Sequence, residues 1–112
     1  VYLNGGRLKT TTTCFEWASQ AVGEGAGEIL LTSMNHDGTK KGFAIDITAR
    51  LAGSLPVPVI ASGGGGIPGH FEAVFREGKA DAALAASIFH YREIEIADLK
   101  HFLKKQGIEV RL

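Results

Sequence analysis

Cysteine, methionine and tryptophan occur once each in this 112-residue chain, and proline only three times. A lone thiol closes no internal disulfide, so the fold must rest on packing, as suits a reducing cytoplasm. Cys14, between Thr13 and Phe15 on a helix face, reads as a packing residue rather than a nucleophile. An excess of charge is missing as well. Lys+Arg and Asp+Glu number 12 each, which excludes whole-molecule steering to nucleic acid or to an anionic membrane surface. No apolar run approaches the ~20 residues of a membrane span. No secretory or lipidation motif is visible, and a cytoplasmic location without nucleic-acid or membrane partners is expected. An anion bound by such a chain has to be caught by local geometry.

Glycine is what the sequence has in quantity, 15 residues, and four of them stand together at 63–66. Around them apolar runs alternate with helical patterns. Thr10 to Thr13 offer N-cap hydroxyls to a helix that carries Phe15, Trp17, Ala18, Ala21 and Val22 inward and ends at Gly23 and Gly25. EILLTS (28–33) predicts a buried parallel strand. After a loop to Gly42, Asp46 opens a helix with Ile47, Leu51 and Leu55 on one face, stopped by Pro56. VPVIAS (57–62) is a second strand, His70 to Glu77 a helix capped by Gly78, and DAALAAS (81–87) a third strand. The last helix spans Ile96 to Gln106 with Leu99, Phe102 and Leu103 inward. Near the start, NGG at 4–6 predicts a hairpin turn.

Strand, loop and helix thus recur about every 25 to 30 residues, the period of βα repeats in a parallel sheet. The expected fold class is α/β, parallel strands alternating with helices, in one domain over residues 1–112. Three strands fall short of a (β/α)₈ barrel, which takes roughly 250 residues. They also fall short of an open doubly wound sheet, usually about five strands or more. Alone they leave two unpaired edges and an uncovered apolar face. The chain therefore reads as part of a (β/α)₈ barrel.

In such barrels a substrate phosphate commonly sits between the loops after the last two strands, held by backbone N–H groups and a short extra helix. Glycine lets backbone approach the anion closely and adopts the φ > 0 angles that turn N–H groups inward. Ser62 and Gly63 to Gly66 would form one side of the nest. Ala86 and Ser87 would form the other, where SIFHYRE is long enough for one helical turn aimed at an anion. The plainer alternative is an uncommitted flexible turn. A dinucleotide fingerprint fits worse, because GGGGIPGH lacks its spacing, Pro68 sits where the helix should open, and Asp81 precedes its strand rather than ending one.

MNHDGTKKGF (34–43) leaves the first parallel strand at its C-terminal end, the face on which barrel active sites are built. Asp37 before Gly38 and Thr39 can be an Asx turn with structural duty alone. In the functional reading it is a general acid or base beside a phosphate pocket. His36 is a second titratable group there, with simple exposure as its plain reading.

Together, GEILLTSMNHDGTKKGF, PVIASGGGG and ADAALAASIFHYREIEIADLKHFLKKQGIEVR resemble the C-terminal half of the cyclase-subunit family of imidazole glycerol phosphate synthase. The resemblance runs from VYLNGGR onward through nearly the whole chain. It implies a (β/α)₈ TIM barrel of two similar halves, each with one phosphate site, this chain holding the hairpin after strand five and strands six to eight. Ser62, Gly63, Gly64, Ala86 and Ser87 then match the phosphate site of the second half. Asp37 matches an active-site aspartate of secondary importance, and Thr32 and Ser33 match substrate-facing residues of strand six. Glu28 matches a charged ring that gates ammonia arriving from the glutaminase subunit, HisH. The family's two principal catalytic aspartates lie on strands one and five, outside this chain. Asn35-His36 stands where the family typically has Asp-Arg.

The implied activity is a lyase step of histidine biosynthesis acting on a phosphorylated ribonucleotide, with no metal or redox cofactor. An N-terminal half-barrel, or self-association, would complete this chain. Two alternatives remain open: the related aminoaldose–ketose isomerase barrel of the same pathway, and a non-catalytic phosphate-binding half-barrel that assembles with itself.

Overall fold

Thr13 starts the first long helix by local chemistry. Its hydroxyl accepts from the Glu16 N–H at 3.2 Å, while the Glu16 carboxylate accepts from the Thr13 N–H at 3.3 Å. Two donors that the first helical turn would leave unpaired are thereby satisfied. The computed structural model describes residues 1–112. Ahead of this cap, β1 (Tyr2–Leu3) and β2 (Leu8–Lys9) pair antiparallel around the Asn4-Gly5-Gly6 turn. The remaining elements follow in order: α1 (Cys14–Gly23), β3 (Ile29–Thr32), α2 (Ile45–Ser54), β4 (Val59–Ser62), α3 (Pro68–Arg76), β5 (Ala82–Leu84), α4 (Ser87–His90) and α5 (Ile96–Lys105).

β3, β4 and β5 form one parallel sheet in that spatial order. The register pairs Thr32 with Ser62 and Ser62 with Leu84, so the three strands end level and their following loops share one edge. The expected α/β class with parallel strands holds. Strand alternation sorts side chains between two faces. Ile29, Leu31, Val59, Ala61 and Ala83 face the helices and join two apolar clusters. One is built on Phe43, Phe71, Val74, Ile88, Leu99 and Leu103, the other on Ala18, Leu51 and Val59.

The opposite face carries Leu30, Thr32, Ile60, Ser62, Ala82 and Leu84, and nothing covers it: Leu30 is 56% and Leu84 45% exposed. A compact protein of this mass exposes about 5,900 Å², whereas this chain exposes 7252 Å². The excess has the scale of one side of a protein interface, roughly 800 Å² or more. A half-barrel leaves such a surface, because its sheet is only part of a closed cylinder.

Several boundaries differ from the sequence expectation, each for a local reason. Trp17 points outward, 47% exposed, because Ala18 one position on takes the inward face and is buried against Leu51 and Val59. α3 opens at Pro68 rather than His70, since proline at the first helical position has no N–H to leave unpaired. β5 keeps only residues 82–84 of the expected 81–87: Ala86 is already the N-cap of α4 and Ser87 its first residue. Asp81 lies before the strand, and its carboxylate accepts the Val59 N–H at 2.9 Å, pinning the start of β4 to the start of β5.

Candidate functional site

The loops after β3, β4 and β5 meet at the C-terminal edge of the sheet. Between them lies a cavity of about 200 Å³ lined by Asp37, Lys40, Ser62, Gly63, Gly64 and Ser87, with Gly38, Gly65 and residues 84–86 completing the wall. Of the residues expected in a site, Asp37, Ser62, Gly63, Gly64, Ala86 and Ser87 are therefore brought together. Thr32 and Ser33 lie beside the cavity. Thr32 is exposed on the uncovered sheet face, and the Ser33 N–H donates to the Ser62 carbonyl at 3.0 Å. The Ser33 hydroxyl is engaged with His36 Nδ1 at 2.7 Å, so His36 is half-buried and partnered rather than simply exposed. Glu28 is exposed and directly precedes β3, at the opposite end of the sheet from the cavity.

Close approach explains why four glycines stand together. Gly63 and Gly64 have φ of 95° and 106° and are buried. A Cβ at Gly63 would meet the Ser33 carbonyl oxygen at 2.7 Å, and one at Gly64 would fall inside the Gly42 carbonyl. A Cβ at Gly65 would meet the Phe43 ring at 2.7 Å, and one at Gly66 the Lys40 backbone. The run is thus packed along the loop after β3 and is no flexible turn. One bond ties the two loops directly, from the Gly42 N–H to the Gly64 carbonyl at 2.8 Å.

The far end of the run is held by His70. Ile67, the N-cap of α3, has no side-chain acceptor, and His70 Nδ1 instead accepts from the N–H groups of Gly66 at 3.1 Å and Ile67 at 3.3 Å. Such acceptance requires an unprotonated Nδ1. The N–H groups of Gly63, Gly64, Gly65 and Ala86, by contrast, donate to no loop partner. Main-chain donors are nearly always paired when enclosed, and several unpaired ones around a concavity form an anion nest. The chemistry available here is recognition of an oxyanion by backbone, with one carboxylate, Asp37, and one ammonium, Lys40, on the wall.

Lys40 and His70 were not singled out as site residues in the sequence. Gly65 stood within a run already marked. His70 had a local signal, an acceptor three residues after an apolar N-cap. Lys40 had none, because its partner Glu93 is 53 residues away.

The model of the family described as histidine biosynthesis protein matches residues 1–95. The chain belongs to this family. Among its relatives, the imidazole glycerol phosphate synthase subunit HisF of Parabacteroides distasonis is 60% identical over 111 residues, covering 99% of this chain and 44% of the relative. HisF of Geobacillus kaustophilus is 56% identical over 111 residues, with the same coverages of 99% and 44%. HisF of Flavobacterium johnsoniae is 55% identical over 112 residues, 100% of this chain and 45% of its own length. The chain thus spans somewhat less than half the length of the curated relatives it matches. Within this family the parallel βα arrangement and the uncovered sheet face are those of the C-terminal half of a (β/α)₈ barrel. No helix is long and apolar enough to cross a membrane.

Proposed function

We propose that this chain is the C-terminal half of an imidazole glycerol phosphate synthase cyclase and supplies one of its two phosphate anchors. The observation that carries this reading is that residues of two βα loops whose N–H groups have no protein acceptor line one cavity together with Asp37. In the complete barrel, ammonia and phosphoribulosyl-formimino-aminoimidazole carboxamide ribonucleotide would give imidazole glycerol phosphate, aminoimidazole carboxamide ribonucleotide and one water, the water carrying away the ketone oxygen that the ammonia nitrogen replaces. Gly63, Gly64 and Ala86 hold a substrate phosphate through their N–H groups, while Ser62 and Ser87 complete the walls. Thr32 and Ser33 border the substrate along the sheet.

Asp37 serves as an acid–base group of secondary weight. General catalysis by one positioned group contributes about 10²–10⁴-fold, and the opposed carboxylates that cyclisation needs belong to the N-terminal half. Glu28, at the far end of β3, belongs to the entry for ammonia from a glutaminase subunit. The uncovered face with Leu30 and Leu84, and an apolar groove of about 700 Å³ along α3, β5 and α5, are where the other half-barrel docks. Without it the chain self-associates and does not turn over substrate.

The test is complementation with ammonium salt as nitrogen donor. The purified chain should show no turnover, a supplied N-terminal half should restore it, and Asp37→Asn should lower but not abolish the restored rate. Turnover by the chain alone would overturn the assignment of the main catalytic duty to the other half.

A further inference from the structure

Lys40 is the only cation among the residues lining the cavity, and it is already engaged. Its ammonium donates to Glu93 Oε1 at 2.6 Å. Glu93 follows α4, whose first residue, Ser87, forms part of the cavity wall, so the pair ties the loop after β3 to the segment after α4. Glu93 itself lines no part of it.

The main chain of Lys40 is held by close packing against the glycine run. Its φ of 56° places it in the left-handed region, and a Cβ on Gly66 would meet its carbonyl oxygen at 2.5 Å and its Cα at 2.9 Å. Backbone is thus wedged against backbone. Beyond it the four-carbon stem carries a compact charge that can swing between partners. The two side chains are 42% and 41% exposed, and exposed ion pairs of this kind are weak. A phosphate carries up to two negative charges, and a charge-assisted bond to it is a stronger partner for an ammonium than one exposed carboxylate.

We propose that Glu93 is a built-in competitor for the cavity's single cation. Lys40 passes from Glu93 to the phosphate group on binding and returns on release, so Glu93 sets how tightly the site holds a phosphate ester and how readily it lets go. Glu93 acts through Lys40 and is a positioning residue; it touches no substrate. The inference rests on the phosphate reading of the cavity, which it deepens by naming a residue that limits affinity.

The two partners should behave with opposite sign, which a merely structural strap would not produce. In the complete barrel, calorimetry with inorganic phosphate should show Glu93→Gln tightening binding about two- to fivefold, and Lys40→Met weakening it about tenfold. In the Lys40→Met background, Glu93→Gln should change affinity by less than about twofold, since the cation competed for is gone. Glu93→Gln should also lower KM for the ribonucleotide while kcat stays level or falls through slower product release. Both positions are exposed, and thermal midpoints check that the variants fold. Weaker or unchanged binding in Glu93→Gln, with the parent barrel binding phosphate normally, would overturn this proposal and leave the nest standing. A parent barrel that binds no phosphate, or binds it undisturbed by Gly64→Val, would overturn the phosphate reading and this proposal with it.

Discussion

Gly64→Val should cripple the anion site while Ser62→Ala barely disturbs it, because the site is made of backbone. Valine at Gly64 would have to hold a φ of 106°, and strained backbone of this kind costs about 1–3 kcal/mol. Its Cβ would also overlap the Gly42 carbonyl, which is main chain and cannot rotate away. Relief requires the two loops to part and the 2.8 Å bond from Gly42 to Gly64 to break, a further loss of about 0.5–1.5 kcal/mol. Together these reach about 2–4 kcal/mol, and since 1.4 kcal/mol is tenfold, phosphate affinity should fall by roughly thirtyfold or more. At Ser62 the main-chain carbonyl that accepts from Ser33 survives the change, and the expected loss is less than about fivefold. Calorimetric titration of both variants with inorganic phosphate, in the complete barrel, separates the cases. Equal losses would refute the backbone account and make the Ser62 hydroxyl a principal ligand.

Other expectations follow from single contacts. Asp81→Ala removes the acceptor for the Val59 N–H and should lower stability by about 1–2 kcal/mol in a denaturant melt, with Asp81→Asn recovering part of it. Burial pushes the Cys14 thiol above its ordinary value, so alkylation of the native chain near neutral pH should be slower than that of a small free thiol and should rise on unfolding. The native state then holds the thiol proton more firmly than the unfolded state, so this group's contribution to stability is full below the unfolded value, about 8.5, and is lost as pH climbs past it. Equal alkylation rates in native and unfolded chain would count against this. Glu28→Gln in the complete enzyme should alter coupling to glutamine hydrolysis while activity with ammonium salt persists; loss of both would make Glu28 a folding residue.

Much of this was legible in the sequence because the chain states it locally. The apolar runs at 28–33 and 57–62, the Thr13 cap and the glycines after a strand all act over a few residues, and each lies where expected to within one or two positions. Trp17 was misplaced because a periodicity admits two neighbouring inward faces, and packing against Leu51 and Val59 chose Ala18. DAALAAS was read as one strand because alanine suits both states; only the turn into α4 assigns Ala86 and Ser87 to a helix start. The glycine run stood out in the sequence, but its packing along Ser33, Lys40 and Gly42 depends on contacts between loops about 20 to 30 residues apart. The same holds for the pairing of Lys40 with Glu93, which no local pattern encodes.

Amide spectra of the complete barrel test most directly whether backbone N–H groups form the anion site. In ¹⁵N-labelled protein titrated with inorganic phosphate, the Gly63, Gly64, Gly65 and Ala86 amides should move most, with downfield proton shifts that saturate together at one affinity. Saturating shifts confined to other residues, with these four amides unmoved, would contradict the account.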